Sequence, residues 1–190
     1  MEALKKKIIE DGVAIGTEIV KVDSFLNHQI DVALLDQIGE EIEKRFCNCG
    51  ITKILTVEAS GIGIACMASK HFGNIPVVFA KKTSPSTMTE EFYGSEVKSF
   101  TKNTVSVVRV AKKYITENDV VLIIDDFLAH GEAALGLADI VHQAGAKLAG
   151  IAVAIEKQFQ GGGNRLKEKG YRLESLAIIE SIVEGKINFA

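Results

Sequence analysis

The sequence predicts an α/β fold, a mostly parallel twisted sheet flanked by helices, and three observations carry that prediction. The runs ITKILTVE (51–58), VVLIIDD (120–126) and LAGIAVAIEK (148–157) are apolar, rich in β-branched residues and nearly continuous. Strands read this way when helices cover both faces of a parallel sheet. Helical patterns lie between and around these runs, and one of them, AALGLADIVHQAG (133–145), ends at a glycine and feeds directly into the third run. A crossover helix is expected to end so. Strand and helix therefore alternate, which defines the class.

Taken in order, the first fifty residues read as two helices, around 2–11 and 31–46, on either side of an extended piece, GTEIVKVDSFLNHQID (16–31). Pattern alone gives this piece no role. ITKILTVE makes the first buried strand, and the small residues of VEASGIGIA (57–65) turn the chain toward a helix. IPVVFAKK (75–82) is a further strand, whereas TSPSTMTEEFYGSEVKSFTKN (83–103) is polar and lacks a core-forming period. So long a stretch fits inside a compact domain only as a functional lid or a two-stranded flap. The remaining strand, helix and strand complete the alternation. With 190 residues and only 2 prolines, nothing marks a linker, and residues 1–190 read as a single domain.

Composition narrows the function classes. A hydrophobic share of 47% beside 25% charged residues is a globular balance, not a disordered or rod-like one. The formal charge of -3, with lysines and carboxylates interspersed, offers no basic stripe for a nucleic acid. No apolar run approaches the ~20 residues of a membrane span, and MEALKKKIIEDG lacks the apolar segment of a signal peptide, so a cytoplasmic location is expected. Cys47, Cys49 and Cys66 have no zinc-ligand spacing and read as reduced structural thiols.

In open parallel sheets, ligands bind beyond the carboxyl ends of strands, so the chemistry is sought there. After the first run, Gly61-Ile62-Gly63 lets backbone amides approach an anion at a helix start, although glycine at such a turn also serves backbone geometry alone. After the second, Asp125 and Asp126 precede a small-residue turn, AHGEA. They could be helix caps, yet adjacent carboxylates at the end of a buried strand are tolerated best beside a polyhydroxyl ligand, a cation or a cationic transition state. After the third come Glu156, Lys157 and Phe159.

Residues 121–133, VLIIDDFLAHGEA, resemble the phosphoribosyl pyrophosphate signature of type I phosphoribosyltransferases: an apolar strand, two acidic residues, an apolar pair and a small-residue phosphate loop. VDSFLNHQID (22–31), VEASGI (57–62), PVVFAKK (76–82), VKSFTKN (97–103) and IEKQF (155–159) are similar, in the same order, to the bacterial xanthine phosphoribosyltransferases, so the resemblance covers essentially the whole chain. Many members of the wider family place threonines in the phosphate loop where this chain has Ala129, His130, Gly131, Glu132 and Ala133. The departure resembles that of the xanthine branch; it removes a hydroxyl donor and brings the negative charge of Glu132 close to the loop.

The resemblance implies the type I fold with an N-terminal hood, a mobile flap at 83–103, and transfer of a phosphoribosyl group to xanthine, with guanine or hypoxanthine as alternatives. It assigns Asp125 and Asp126 to the ribose and its developing positive charge. Residues 129–133, the amides of Ala59, Ser60 and Gly61, and Lys81 or Lys82 are assigned to the phosphates. Mg²⁺ is expected to arrive with the pyrophosphate, without a protein side chain that can be named as its direct ligand. Val20, Asn27, Lys157 and Phe127 are assigned to the purine, with Phe159 a further ring-packing candidate; a Lys⁺ reading a 6-oxo group discriminates against an amine by hydrogen-bond polarity. A homodimer is implied as well. Two rival readings remain: a non-catalytic sensor of phosphoribosyl pyrophosphate, for which the chain offers no added DNA-binding domain, and a Rossmann-type enzyme, for which the third glycine of the fingerprint is replaced by Cys66.

Overall fold

Every apolar run read as a buried strand is one in the computed structural model, which describes residues 1–82, 91–99 and 104–190. The chain runs through α1 (Glu2–Asp11), β1 (Val13–Ile15), β2 (Ile19–Lys21), α2 (Val32–Phe46), β3 (Lys53–Val57), α3 (Gly61–His71), β4 (Val77–Ala80), β5 (Phe92–Ser99), β6 (Thr104–Ala111), β7 (Val120–Leu128), α4 (Glu132–Gln143), β8 (Lys147–Lys157), α5 (Gly162–Glu168), β9 (Leu173–Val183) and β10 (Lys186–Phe189). Among the described residues, six strands form the main sheet in the order β10-β9-β8-β7-β3-β4. All neighbours are parallel except β10, which closes one edge antiparallel to β9.

β3 leads through α3 to its neighbour β4, whereas β7 leads through α4 to β8 on the opposite side. The direction of winding reverses between β3 and β7, and a crevice opens outside the carboxyl ends of strands at such a switch point. β7 also shows why its sequence is continuously apolar. Leu122 and Ile124 face the layer of α1, α2 and α3, where Ile8, Ile38, Phe46 and Ile64 are fully buried, while Val121 and Ile123 face α4 through Leu137 and Val141. Successive residues thus enter two different cores.

The piece at 16–31 corrects the sequence reading. It is not simply extended: β1 and β2 form a hairpin, and Asp23–Asn27 make a wide turn of π-helix. Val22, Phe25 and Leu26 are each 1% exposed, and an extended chain would point one of the neighbours Phe25 and Leu26 outward. The wide turn puts both inside, with the amides of Phe25 and Leu26 donating to the carbonyl of Val22.

The polar segment at 83–103 contains β5, which pairs with β6 in an antiparallel ribbon. Residues 83–90 and 100–103 of the expected flap, including all of FTKN, lie outside the described residues. At its base the ribbon rests on α4: the amide of Gln143 donates to the carbonyl of Gly94 at 2.8 Å, and Val97 and Val108 are buried. α5, β9 and β10 received no assignment from sequence. Among the described residues, no helix is long and apolar enough to cross a membrane.

Candidate functional site

β7 delivers Asp125 to the switch point, where it is only 7% exposed. Burial pushes its carboxyl well above the ordinary carboxylate range, and the neighbouring charge of Asp126 pushes it further, against a smaller opposing effect of Lys82. The backbone amide of Asp126 donates to Asp125 Oδ1 at 3.0 Å. Asp126 itself is half-buried. Gly61, at the start of α3, lies against this carboxyl: a Cβ there would stand 3.3 Å from Asp125 Oδ1 and collide with Thr56 Oγ1. The absent side chain is thus a packing requirement beside the acidic pair.

Residues 129–133 follow as a tight loop into α4. Gly131 has φ 84°, in the left-handed region, and its carbonyl accepts the first helical bond from the amide of Leu135 at 2.9 Å. The loop is gripped by the segment after β8. The Gly162 amide donates to the Ala129 carbonyl at 3.0 Å, and a Cβ on Gly162 would run into Ala129 O and the backbone of residues 130 and 131. His130 Nδ1 lies 3.0 Å from the carbonyl oxygen of Gln160. A carbonyl only accepts, so Nδ1 carries the proton. Arg165 Nη1 donates at 2.6 Å to the His130 carbonyl and at 2.6 Å to Glu132 Oε1. The negative charge that the sequence brings to the loop is therefore matched by a cation from α5.

At the end of β8, Lys157 Nζ donates at 3.2 Å to the carbonyl of Glu18, in the turn between β1 and β2. Burial pulls the Lys157 ammonium below its usual range, and the charge of Glu18 partly restores it. Lys82, exposed just past β4, anchors its own amide on Glu58 Oε1 at 2.6 Å.

These groups share one cleft of about 630 Å³, of the size that accepts a small ligand. Its walls bring together Asp125, Phe127, the whole loop 129–133, Lys82 and Lys157 from widely separated parts of the chain. Asp126, Ala59, Ser60, Gly61, Val20 and Asn27 are not among its lining residues. Val20 is 8% exposed, pairs with Ala14 in the hairpin and turns its side chain into the core. Asn27 is exposed at the end of the π-helical turn. Phe159 is exposed as well, and is not on the cleft wall. Conversely, Glu18, Gln160, Lys98 and Ser106 line the cleft without having been singled out in the sequence. The signal available for the bracing segment was Gly161-Gly162-Gly163, a glycine run after a strand end that marks close backbone approach.

The family model described as phosphoribosyl transferase domain matches residues 21–185. A xanthine phosphoribosyltransferase of Ruminiclostridium cellulolyticum is 57% identical over 189 residues, covering 100% of this chain and 99% of the relative. One from Clostridium novyi is 59% identical with the same coverage of 100% and 99%, and one from Acinetobacter baumannii is 49% identical with 100% and 98%. Among solved structures, adenine phosphoribosyltransferase from Rhodothermus marinus superposes with a TM-score of 0.75 at 20% identity, covering 94% of this chain and 99% of that one. The Leishmania donovani adenine phosphoribosyltransferase gives 0.73 at 20% identity, with 93% and 79% covered. At such identities the structural likeness speaks for the fold alone.

Proposed function

The chain belongs to the phosphoribosyltransferase family, and from that premise we infer its reaction: transfer of the 5-phosphoribosyl group of phosphoribosyl pyrophosphate to xanthine, giving xanthosine 5′-monophosphate and pyrophosphate. The observation that carries this reading is the placement of Asp125, the 129–133 loop and Lys157 around one cleft. Full-length relatives at 49–59% identity, all named xanthine phosphoribosyltransferases, support xanthine as the acceptor.

A purine ring nitrogen displaces pyrophosphate at the anomeric carbon, and positive charge builds on the sugar as the old bond breaks. Asp125 sits where burial makes an anion costly, so it gains most when a cationic centre forms beside it. Asp126 and Asp125 together accept hydrogen bonds from the ribose hydroxyls. The loop 129–133 holds the 5-phosphate through its amides and the start of α4. Lys82, on the cleft wall, is assigned to the pyrophosphate, together with the amides after β3, where Gly61 packs against the Asp125 carboxyl. Lys157 donates to the 6-oxo group of the base, which adenine lacks. Lys98 and Ser106, on the ribbon wall of the cleft, are placed to help exclude water.

Mg²⁺ fits as a passenger of the pyrophosphate. A reluctantly dehydrated hard cation is held by one or two carboxylates plus substrate phosphates, and the acidic pair offers those carboxylates. Bound there, the ion would neutralise charge on the leaving group. The three free cysteines support a reducing, cytoplasmic setting. The outer face of the β1–β2 hairpin supports a homodimer: Val13, Ile15 and Ile19 project from it, 48–54% exposed, while Ala14 and Val20 turn inward.

Steady-state assays with phosphoribosyl pyrophosphate and Mg²⁺ on xanthine, guanine, hypoxanthine and adenine test the reading. Xanthine is expected to give the highest kcat/KM, and Lys157→Ala to lower it by roughly 10- to 100-fold, the worth of a charged hydrogen bond. Binding of phosphoribosyl pyrophosphate without turnover of any purine would make the chain a sensor instead.

A further inference from the structure

The phosphate loop does not set its own shape. Three of its residues are held from the segment after β8: the Ala129 carbonyl by Gly162, the His130 ring by Gln160, and the His130 carbonyl together with the Glu132 carboxylate by Arg165. Of these holds, the one through Arg165 is charged and made by a single nitrogen, Nη1, at 2.6 Å from both acceptors. Arg165 is not among the residues lining the cleft, whereas His130, Gly131 and Glu132 are.

Two consequences follow from chemistry. A trans peptide points its N–H opposite to its C=O, so fastening the His130 carbonyl toward α5 turns the Gly131 N–H away from Arg165. Pairing also cancels the Glu132 charge, which stands in the first turn of α4, where an incoming phosphate needs positive potential. Surface ion pairs contribute little in general. This one differs because its carboxylate side chain is only 21% exposed and its guanidinium also holds loop backbone.

We propose that Arg165 is a positioning residue for phosphoribosyl pyrophosphate, holding the 129–133 loop in its anion-receiving shape and neutralising Glu132. The proposal rests on the transferase reading and deepens it at the donor end of the cleft. It separates two roles for Glu132: paired, it is a tether; unpaired, it repels the substrate.

The test is calorimetric titration of phosphoribosyl pyrophosphate with Mg²⁺ into the native chain, Arg165→Leu, Glu132→Gln and the double variant, with KM for xanthine measured alongside. Arg165→Leu is expected to weaken donor binding about tenfold while KM for xanthine stays within about twofold. Adding Glu132→Gln should recover most of that loss, because the repelling charge is gone. A merely structural arginine would move both substrates together and would gain nothing from the second substitution. Arg165→Gln, which keeps a donor for the carbonyl, should show the same pattern more weakly and serves if the leucine variant does not fold. Donor binding unchanged in the arginine variants, or weakened without recovery in the double variant, overturns the proposal alone. Absence of donor binding by the native chain overturns the transferase reading, and the proposal with it.

Discussion

Asp125 carries the site's largest electrostatic cost. Its native carboxyl holds a proton more tightly than the unfolded chain does at the ordinary 3.8, so over the window above 3.8 the fold keeps protons that the unfolded chain has released. Stability from this group is fully present below pH 3.8 and is lost as pH rises through the raised value. Asp125→Asn keeps the Oδ1 acceptor for the Asp126 amide and removes the charge. Its melting temperature at neutral pH should exceed that of the native chain, the gap narrowing on acidification, while kcat falls by about 100-fold or more. A lower melting temperature at neutral pH would refute the burial argument. Residues of this kind were legible because an acidic pair ending an apolar run is locally anomalous. Arg165 was not, since its partner lies 33 positions away and nothing local distinguishes it from other exposed arginines. Val20 and Asn27 entered only by resemblance, and the alternation of the hairpin spends the Val20 side chain on the core.

Elements were legible where one period dominates. The first helix was read at 2–11 and spans Glu2–Asp11, because Leu4 and Ile8 repeat at helical spacing onto one buried face. The π-helical turn has no period to read. β9 escaped because Glu174, Ser175, Glu180 and Ser181 interrupt its apolar residues, as befits a strand with partly exposed faces. The glycines before and within α5 showed that something comes close without showing what. The structure supplies it, and Gly162→Ala follows as a test at this scale. The new methyl would meet backbone atoms of residues 129–131, which cannot swing aside as a side chain can. Overpacking of this kind costs about 1–3 kcal/mol, so denaturant unfolding should show that loss, with donor binding weakened and purine selectivity kept. An unchanged midpoint would mean that the loop moves freely away from α5.

At the scale of the molecule, the winding reversal between β3 and β7 explains why residues from 57 to 157 meet in one cleft, whereas the sequence showed only the alternation of strand and helix that such a reversal requires. Strand order itself was not, because parallel pairing leaves no mark on individual runs. The apolar outer face of the hairpin belongs to this scale too. If it is a subunit contact, Ile15→Lys with Ile19→Lys should convert the particle seen by sedimentation from a dimer to a 20.5 kDa monomer, and an unchanged mass would place the contact elsewhere. That hairpin touches the cleft through the bond from Lys157 to the Glu18 carbonyl. A single ammonium therefore belongs both to the sheet floor and, through its bond, to the hairpin above it. With Lys157 reading the base as proposed, linkage would make the two events reciprocal: whatever factor the hairpin contact adds to base affinity, the bound base would return to the hairpin, so the acceptor would help to build the roof of its own binding site.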